Sequence, residues 1–298
     1  MKKKYAPLLI VLAGCLWGTM GLFVRRLNAM GLASMEIVEM RSIISVLILF
    51  PVTFFMDRTL LKIRAGHLWP LIASGICSIV FFNYCYFSTI SIMDLSMAAI
   101  LLYTAPIFVM LLSLVLFREK LTAVKVTALI LAFCGCCLVC GITNASVSIT
   151  LPGLLLGLGS GFGYALYSIF SRFSLNHGLN SITITDYTFL FAALGGAFLT
   201  DFSAIGAAVS SYGAQFILFA VVYSVVTTVL PYLLYTTGLQ YVENGTASVI
   251  ASIEPVVATV LGFFFYSESP TISTIAGIVL VIAALVLLNR KPAESGAA

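Results

Sequence analysis

The chain has 298 residues, of which 61% are hydrophobic and only 9% are charged, and its net charge is +4. Its mean hydropathy is +1.13. A soluble domain carries roughly 25% charged residues, so these charges are too few to cover a water-facing surface. The Lys and Arg residues are scattered and form no basic patch with interleaved aromatic residues, so we expect no nucleic-acid partner. Seven cysteines are an odd number and imply no disulfide framework.

Ten long apolar runs follow one another along the chain, and a helix needs about 20 apolar residues to cross a bilayer core of about 30 Å. The runs are continuous, whereas the strands of a membrane barrel alternate apolar and polar residues. We therefore predict an all-α integral membrane protein with ten transmembrane helices in a lipid bilayer. The predicted spans are 6–25, 34–56, 67–90, 95–117, 121–142, 150–171, 180–200, 213–239, 245–266 and 271–289.

The chain begins with a lysine cluster and an apolar run, a pattern that a signal peptide shares. No small-residue cleavage site follows, so we interpret the run as the first span. With the N-terminus inside, 12 of the 15 Lys and Arg residues fall in inner segments. Because cytoplasmic loops carry the excess of Lys and Arg, we predict that both termini are cytoplasmic, in a bacterial inner membrane.

One stretch occurs twice, at an offset of 149 residues, which is half the chain. Tyr103 to Thr122 and Ser252 to Thr271 each have a Pro near the start and a Glu thirteen residues after it. Five spans fall in each half, and an odd number makes the second half enter the membrane from the opposite side. We therefore predict two inverted five-helix repeats, at residues 1–145 and 146–290, and a short cytoplasmic tail at 291–298. The paired positions are Pro106 and Pro255, Glu119 and Glu268, and Thr122 and Thr271.

The chain resembles the EamA-type family of the drug/metabolite transporter superfamily. The resemblance rests on Trp17-Gly18 in the first span, Arg41 in the second, the two Pro-to-Glu blocks, and the run 277–288 in the last. It extends over essentially the whole chain. It implies a carrier in the inner membrane that exports amino acids, metabolites or drugs, in some members coupled to protons or working by exchange.

Ionisable side chains within a span usually face a partner or a wet cavity, because hydrocarbon disfavours charge. Glu254 is the deepest, some ten residues into the ninth span and directly before Pro255. It can bind a cationic group or a proton, or serve as a structural carboxylate. Arg41 can bind a substrate carboxylate, pair with Glu254, Glu39 or a neighbouring glutamate, or extend to the outer interface.

Two further acidic residues and a set of aromatic and polar residues complete the candidate site. Glu39 and Asp186 occupy matching positions in the second and seventh spans; they are gate charges at two mouths or ordinary interfacial residues. Tyrosine offers an apolar body and a hydroxyl that suit a pocket for an organic molecule, although it also collects at membrane interfaces. The remaining candidates are Trp17, Asn83, Tyr84, Tyr103, Tyr232 and Tyr235.

Glycines recur every fourth residue in the first and sixth spans, and such spacing lets helices approach closely. We interpret Gly14 and Gly18, and Gly153, Gly157 and Gly161, as packing residues of these two spans at the interface between the repeats.

The sequence has no Ser/His or His/Glu pair at usable spacing within a span, and no phosphate-binding GxxxxGK[ST] loop. We therefore expect no enzyme activity, no metal site and no cofactor. We expect a secondary-active carrier of a small-molecule substrate, such as an amino acid, an amine or a drug-like compound, working by alternating access. The coupled species would be a proton or a counter-substrate. The alternatives are an uptake carrier, an exchanger or a channel.

Overall fold

A computed structural model describes residues 3–142, 150–266 and 271–289. Within these residues the chain is helical and forms no strand. Eight helices are long and apolar enough to cross a membrane, and two apolar helices, α5 and α10, are shorter. The helices are α1 Ala6–Ala29, α2 Ser34–Met56, α3 Ala65–Ile92, α4 Leu95–Phe117, α5 Ala123–Val139, α6 Leu151–Asn176, α7 Ser181–Leu199, α8 Phe202–Leu239, α9 Asn244–Tyr266 and α10 Ile272–Leu288.

Helices α4 and α9 are each interrupted near the middle, at positions 149 residues apart. The first part of α4 ends at Leu102 and that of α9 at Ala251. Each interruption lies four residues before a proline, Pro106 or Pro255. A proline has no N–H, so the carbonyl four residues earlier loses its helical partner. The second parts, Ala105–Phe117 and Glu254–Tyr266, carry the proline in their first turn, where it is tolerated.

A second irregularity also recurs at the same offset. Helix α3 contains a π-helical turn at Ile76–Phe81, and α8 contains one at Val225–Val229. Such turns widen the helix locally and leave backbone groups less regularly paired. Interruptions and π-turns therefore occur in the middle of α3, α4, α8 and α9.

Glycines bring α1 and α6 against the interrupted helices. A Cβ atom on Gly18 would come within 2.8 Å of the Glu254 carbonyl oxygen, and one on Gly161 within 2.8 Å of the Leu101 carbonyl oxygen. The predicted close packing is confirmed, and the structure adds the partner helices. Helix α1 lies on α9, and α6 lies on α4.

The helices surround a core that contains Trp17 of α1, Phe189 of α7 and Tyr232 of α8. Helices α5 and α10 pack on each other through Gly135 and Gly277, whose close approach needs the absence of a side chain. We call the end of the bundle at which α1 begins the N face. Gly238, near the end of α8, lies on Ala6 there, so the α8–α9 connection is also at the N face.

Candidate functional site

Aromatic side chains from three helices line a cavity in the middle of the bundle, which we call the aromatic chamber. The indole of Trp17 lies 5.2 Å from the ring of Tyr232, edge to face, and 5.4 Å from that of Tyr235. Aromatic pairs prefer such offset and edge-on arrangements, so the rings hold one another in place. The lining residues are Trp17, Ser78, Tyr164, Tyr167, Ser168, Tyr232 and Tyr235.

Hydrogen bonds fix the tyrosine hydroxyls on one side of the aromatic chamber. The Tyr167 hydroxyl lies 2.6 Å from the Thr236 hydroxyl, and the Ser168 hydroxyl lies 2.7 Å from that of Tyr235. The Ser78 hydroxyl is different, because it is buried and has no partner among the described residues. A buried polar group without a partner is costly, so Ser78 offers the chamber a free hydrogen-bonding group.

Glu254 begins the second part of α9, beside the aromatic chamber. The Tyr164 hydroxyl donates a hydrogen bond of 3.1 Å to its Oε2 atom. Its carboxylate also interacts electrostatically with Tyr86, Tyr103 and Tyr232. Glu254 lies halfway along α9 and is half-buried. No Lys or Arg of the described residues lies within 4.0 Å of this carboxylate.

Arg41 lies in a second cavity, the arginine chamber, displaced from the aromatic chamber toward the face opposite the N face. Its side chain is 2% exposed. Its side chain makes long contacts with Asn83 Oδ1 at 3.5 Å and Met20 Sδ at 3.9 Å and also interacts with the Tyr223 hydroxyl. Its Nε atom has no partner among the described residues. The lining residues are Met20, Val24, Ser34, Ile37, Val38, Arg41, Asn83, Phe87 and Tyr223.

Two of the three alternatives considered for Arg41 are not seen in the structure. Within the described residues no carboxylate lies within 4.0 Å of the guanidinium, so Arg41 pairs with neither Glu254 nor Glu39 in this conformation. The side chain is buried, so it does not extend to the interface either. What is left is a buried guanidinium facing a cavity.

The model of the EamA-like transporter family matches residues 4–141 and again residues 151–290. The chain belongs to the EamA-like transporter family. It is a membrane-embedded, multi-pass transporter, and the resemblance noted in the sequence is confirmed.

Relatives of this EamA-family chain span its whole length. An uncharacterized transporter of Archaeoglobus fulgidus is 27% identical over 292 residues, which are 97% of each chain. An uncharacterized transporter of Bacillus subtilis is 28% identical over 297 residues, or 97% of this chain and 92% of the relative. A crystal structure superimposes with a TM-score of 0.79 and covers 97% of both chains at 17% identity; this similarity concerns the fold alone.

Glu39 and Asp186 of this EamA-family transporter lie away from both chambers, between α2 and α7. Asp186 is fully buried and accepts a hydrogen bond of 2.7 Å from the Thr53 hydroxyl. Glu39 is 1% exposed, and its Oε2 atom has no partner among the described residues. It lies so close to Gly196 that a Cβ atom there would meet this oxygen at 2.3 Å. These carboxylates are therefore buried at a helix–helix contact.

The other predicted residues divide between the site and the surface. Trp17, Tyr232 and Tyr235 line the aromatic chamber, and Asn83 lines the arginine chamber. Tyr103 contributes to the surroundings of Glu254. Tyr84 is 49% exposed on the outside of the bundle and contributes to neither chamber.

Three residues of the chambers, Tyr164, Tyr167 and Tyr223, lie outside the candidates predicted from the sequence. Tyr164 and Tyr167 are three residues apart on α6 and share a face, in the same glycine-rich stretch that packs α6 against α4. The spacing was a usable signal, because both side chains line the aromatic chamber. Tyr223 is a single tyrosine in an apolar run, and nothing in the sequence around it marks a cavity.

A cluster of charged side chains lies at the N face of the EamA-family bundle, and we call it the N-face cluster. Glu119, in the loop after α4, accepts hydrogen bonds from the backbone N–H groups of Asn244 at 2.8 Å and Gly245 at 3.2 Å. It therefore caps the first turn of α9. Arg172 donates to Asn244 Oδ1 at 2.8 Å and to the Val242 carbonyl. The N-face cluster consists of the charged residues Glu119, Lys125, Arg172 and Glu243 together with Asn244.

Helix capping at the N face comes from Glu119 and not from the residues at the N-cap positions. The helix that Glu119 caps belongs to the other half of the chain. Glu243 precedes α9 at the N-cap position, but its side chain makes no capping hydrogen bond and instead pairs with Lys125. Asp94 likewise occupies the N-cap position of α4 without a side-chain cap. Glu268 lies outside the described residues.

Proposed function

We propose that this transporter is a secondary-active carrier that exports a small organic metabolite, such as an amino acid, an amine or a drug-like compound. The observation that carries the proposal is the pair of interrupted helices beside the central chambers. Transporter sites commonly lie near the middle of the membrane, where discontinuous helices expose helix ends to the substrate. Here Glu254 begins the second part of α9 at such a point.

We propose further that residues 1–145 and 146–290 are inverted five-helix repeats. The two matches of the family model and the recurrence of the interruptions and π-turns at an offset of 149 residues support this division. The short helices α5 and α10 would then be the fifth span of each half, which makes ten spans in all. An odd number of spans gives the halves opposite orientations in the membrane.

Alternating access would follow from motion of one half against the other around the chambers. Helix α1 lies on the interruption of α9, and α6 lies on that of α4, each through glycines. At these contacts, glycine faces that carry no side chains lie against the interruptions, where the backbone is not regularly helical. Both contacts join the two halves, so they are where relative motion would be accommodated.

We propose that both termini are cytoplasmic and that the membrane is the bacterial inner membrane, because the Lys and Arg excess falls on the N face. The N-face cluster would then lie at the cytoplasmic side. A proton or a counter-substrate is the proposed coupled species. The carboxylates that could hold a proton are Glu39 and Asp186, which are buried, and Glu254, which is half-buried.

The test has two steps on the purified full-length protein. Amino acids, amines, nucleosides and drug-like cations are screened for ligand-induced thermal stabilisation, since a ligand that binds only the folded state raises the melting temperature. The stabilising compound is then used in liposomes. We expect saturable uptake that a trans gradient of the same compound accelerates. Ohmic single-channel current would contradict the proposal in favour of a pore, and chemical conversion of the compound would contradict it in favour of an enzyme.

A further inference from the structure

Two opposite charges lie beside the central chambers, and neither has an ionic partner in the described residues. Arg41 is 2% exposed, with an unpartnered Nε atom. Glu254 has one hydrogen bond, from the Tyr164 hydroxyl. Removing a charge from water is unfavourable unless a counter-charge and hydrogen bonds replace the water. Arg41 and Glu254 each lack a counter-charge, and a bound molecule can supply it.

The two charges do not satisfy each other. Their side chains are more than 4.0 Å apart, because no ion pair joins them. Tyr232 is near enough to both charges to interact electrostatically with the guanidinium and with the carboxylate. Tyr232 also lines the aromatic chamber, so an aromatic ring of this chamber neighbours both charges.

The two charges also depart from the repetition of the rest of the molecule. The counterpart of Glu254 in the first half, 149 residues earlier, is Ala105. The counterpart of Arg41 in the second half, at the offset of 147 residues that relates Glu39 to Asp186, is Thr188. Each charge thus occurs once and not twice. Together they give the central region a positive end and a negative end.

We infer that the substrate is a small organic zwitterion, whose anionic group binds Arg41 and whose cationic group binds Glu254. This inference rests on the proposed carrier function and narrows its substrate class. Arginine presents a planar fork of N–H donors that suits a carboxylate. The ring faces of Trp17 and the tyrosines around Glu254 attract a cation as well as apolar carbon. The body of the substrate lies against the aromatic chamber, where Ser78 offers a hydroxyl.

Binding can be followed by the fluorescence of Trp17. The chain has two tryptophans, and Trp69 is 47% exposed near the N face, so the W69F protein reports from the aromatic chamber alone. Probes are matched sets in which one charge at a time is removed. The sets are 6-aminohexanoate with hexylamine and hexanoate; L-leucine with 3-methylbutylamine and 4-methylpentanoate; and L-phenylalanine with phenethylamine and 3-phenylpropanoate.

In the W69F protein, we expect at least one zwitterion to bind about 10- to 100-fold more tightly than both of its singly charged analogues, as loss of a hydrogen-bonded charged contact predicts. R41Q should remove the advantage over the amine, and E254Q the advantage over the acid. The exposed residues Arg64 and Asp57 provide matched controls, R64Q and D57N, which should retain the full advantage.

Three outcomes would overturn the inference. The amine or the acid binds as tightly as its zwitterion in every set; none of the nine compounds binds; or R41Q and E254Q keep the full selectivity of the W69F protein. The preference of the W69F protein for a zwitterion over its singly charged analogues is measured without R41Q or E254Q. This measurement therefore still tests the inference if either variant fails to fold. If a singly charged compound binds and shows counterflow in liposomes, the carrier function is supported and the inference of a zwitterionic substrate is rejected.

Discussion

The charges of the N-face cluster each have a partner, whereas the charges beside the central chambers do not. At the N face, Glu119 accepts two backbone hydrogen bonds and Lys125 pairs with Glu243. In the interior, the Arg41 side chain contacts neutral groups of Asn83, Met20 and Tyr223, and Glu254 accepts a hydrogen bond from one tyrosine hydroxyl. The first group lies at an end of the bundle and is satisfied, while the second lies in its interior and has no ionic partner in the described residues.

The difference separates structural charges from recognition charges. A charged side chain at the end of a bundle can be retained for a cap or an ion pair of modest energy. An unpaired charge in the interior lowers the stability of the fold, so its presence calls for a use. The aromatic side chains of the aromatic chamber are held by one another and by hydrogen bonds, which fixes the wall beside Glu254.

The strongest way to test this distinction is to neutralise the interior charges. We expect E254Q and R41A each to reduce transport by about 100-fold or more, because a charge on the substrate then loses its buried partner. The proteins should still insert and should elute as folded monodisperse species. Transport is measured as counterflow in liposomes, with D57N as the control for a carboxylate outside the site. Retained transport in both variants would reject the site assignment and leave the fold untouched.

A second test changes the support of the interior charge instead of the charge. A Cβ atom at Gly18 would meet the Glu254 carbonyl oxygen at 2.8 Å and Val257 Cβ at 2.7 Å. Since backbone cannot yield as a flexible side chain can, G18A should separate α1 from α9 and lower the free energy of unfolding by about 1–3 kcal/mol.

Gly21 provides the matched control for this test. It lies on the same helix, and nothing lies within 4 Å of a Cβ atom built there. G21A should therefore leave stability unchanged or raise it slightly, because alanine favours helix more than glycine does. Thermal unfolding in detergent compares the two variants. Equal melting temperatures would show that the contact between α1 and the interruption of α9 is not tight.

The sequence predicts the helices well, because the hydrocarbon core imposes a length and a composition on each of them. The prolines identify the interruptions, because Pro106 and Pro255 each lack the N–H group that a helix needs. In both helices the preceding part ends four residues before the proline. The glycine rows predict close packing, but not the partner helix. Spacing along one helix contains no information about which neighbour covers it.

The site is only partly predictable from sequence, because a cavity belongs to several helices at once. Glu254 and Arg41 are recognisable, since a charge within an apolar run is rare. Tyr84 and Tyr86 cannot be distinguished by composition, and yet Tyr84 is exposed while Tyr86 lies near Glu254. The two positions are about 200° apart around the axis of α3, so their side chains lie on different faces of the helix. The partner of Asp186 on α2 depends on the packing of α7, which no local pattern reports.

The smallest expected effects come from the N-face cluster, where charges are already paired. E119A should lower the free energy of unfolding by about 1–2 kcal/mol, because the N–H groups of Asn244 and Gly245 lose their acceptor at the start of α9. E243A should cost less than about 1 kcal/mol, since the Glu243 side chain is 55% exposed. Lys125 would keep its hydrogen bond of 2.9 Å to the Lys120 carbonyl.

These two variants are compared by thermal unfolding, and their substrate affinity is measured beside it. If the N-face charges are structural, E119A lowers the melting temperature more than E243A does, and both bind substrate with wild-type affinity. A loss of affinity in either variant, without a loss of stability, would place the N-face cluster in the recognition group with Arg41 and Glu254. The distinction between satisfied and unsatisfied charges would then fail as a guide to which residues of this transporter contact its substrate.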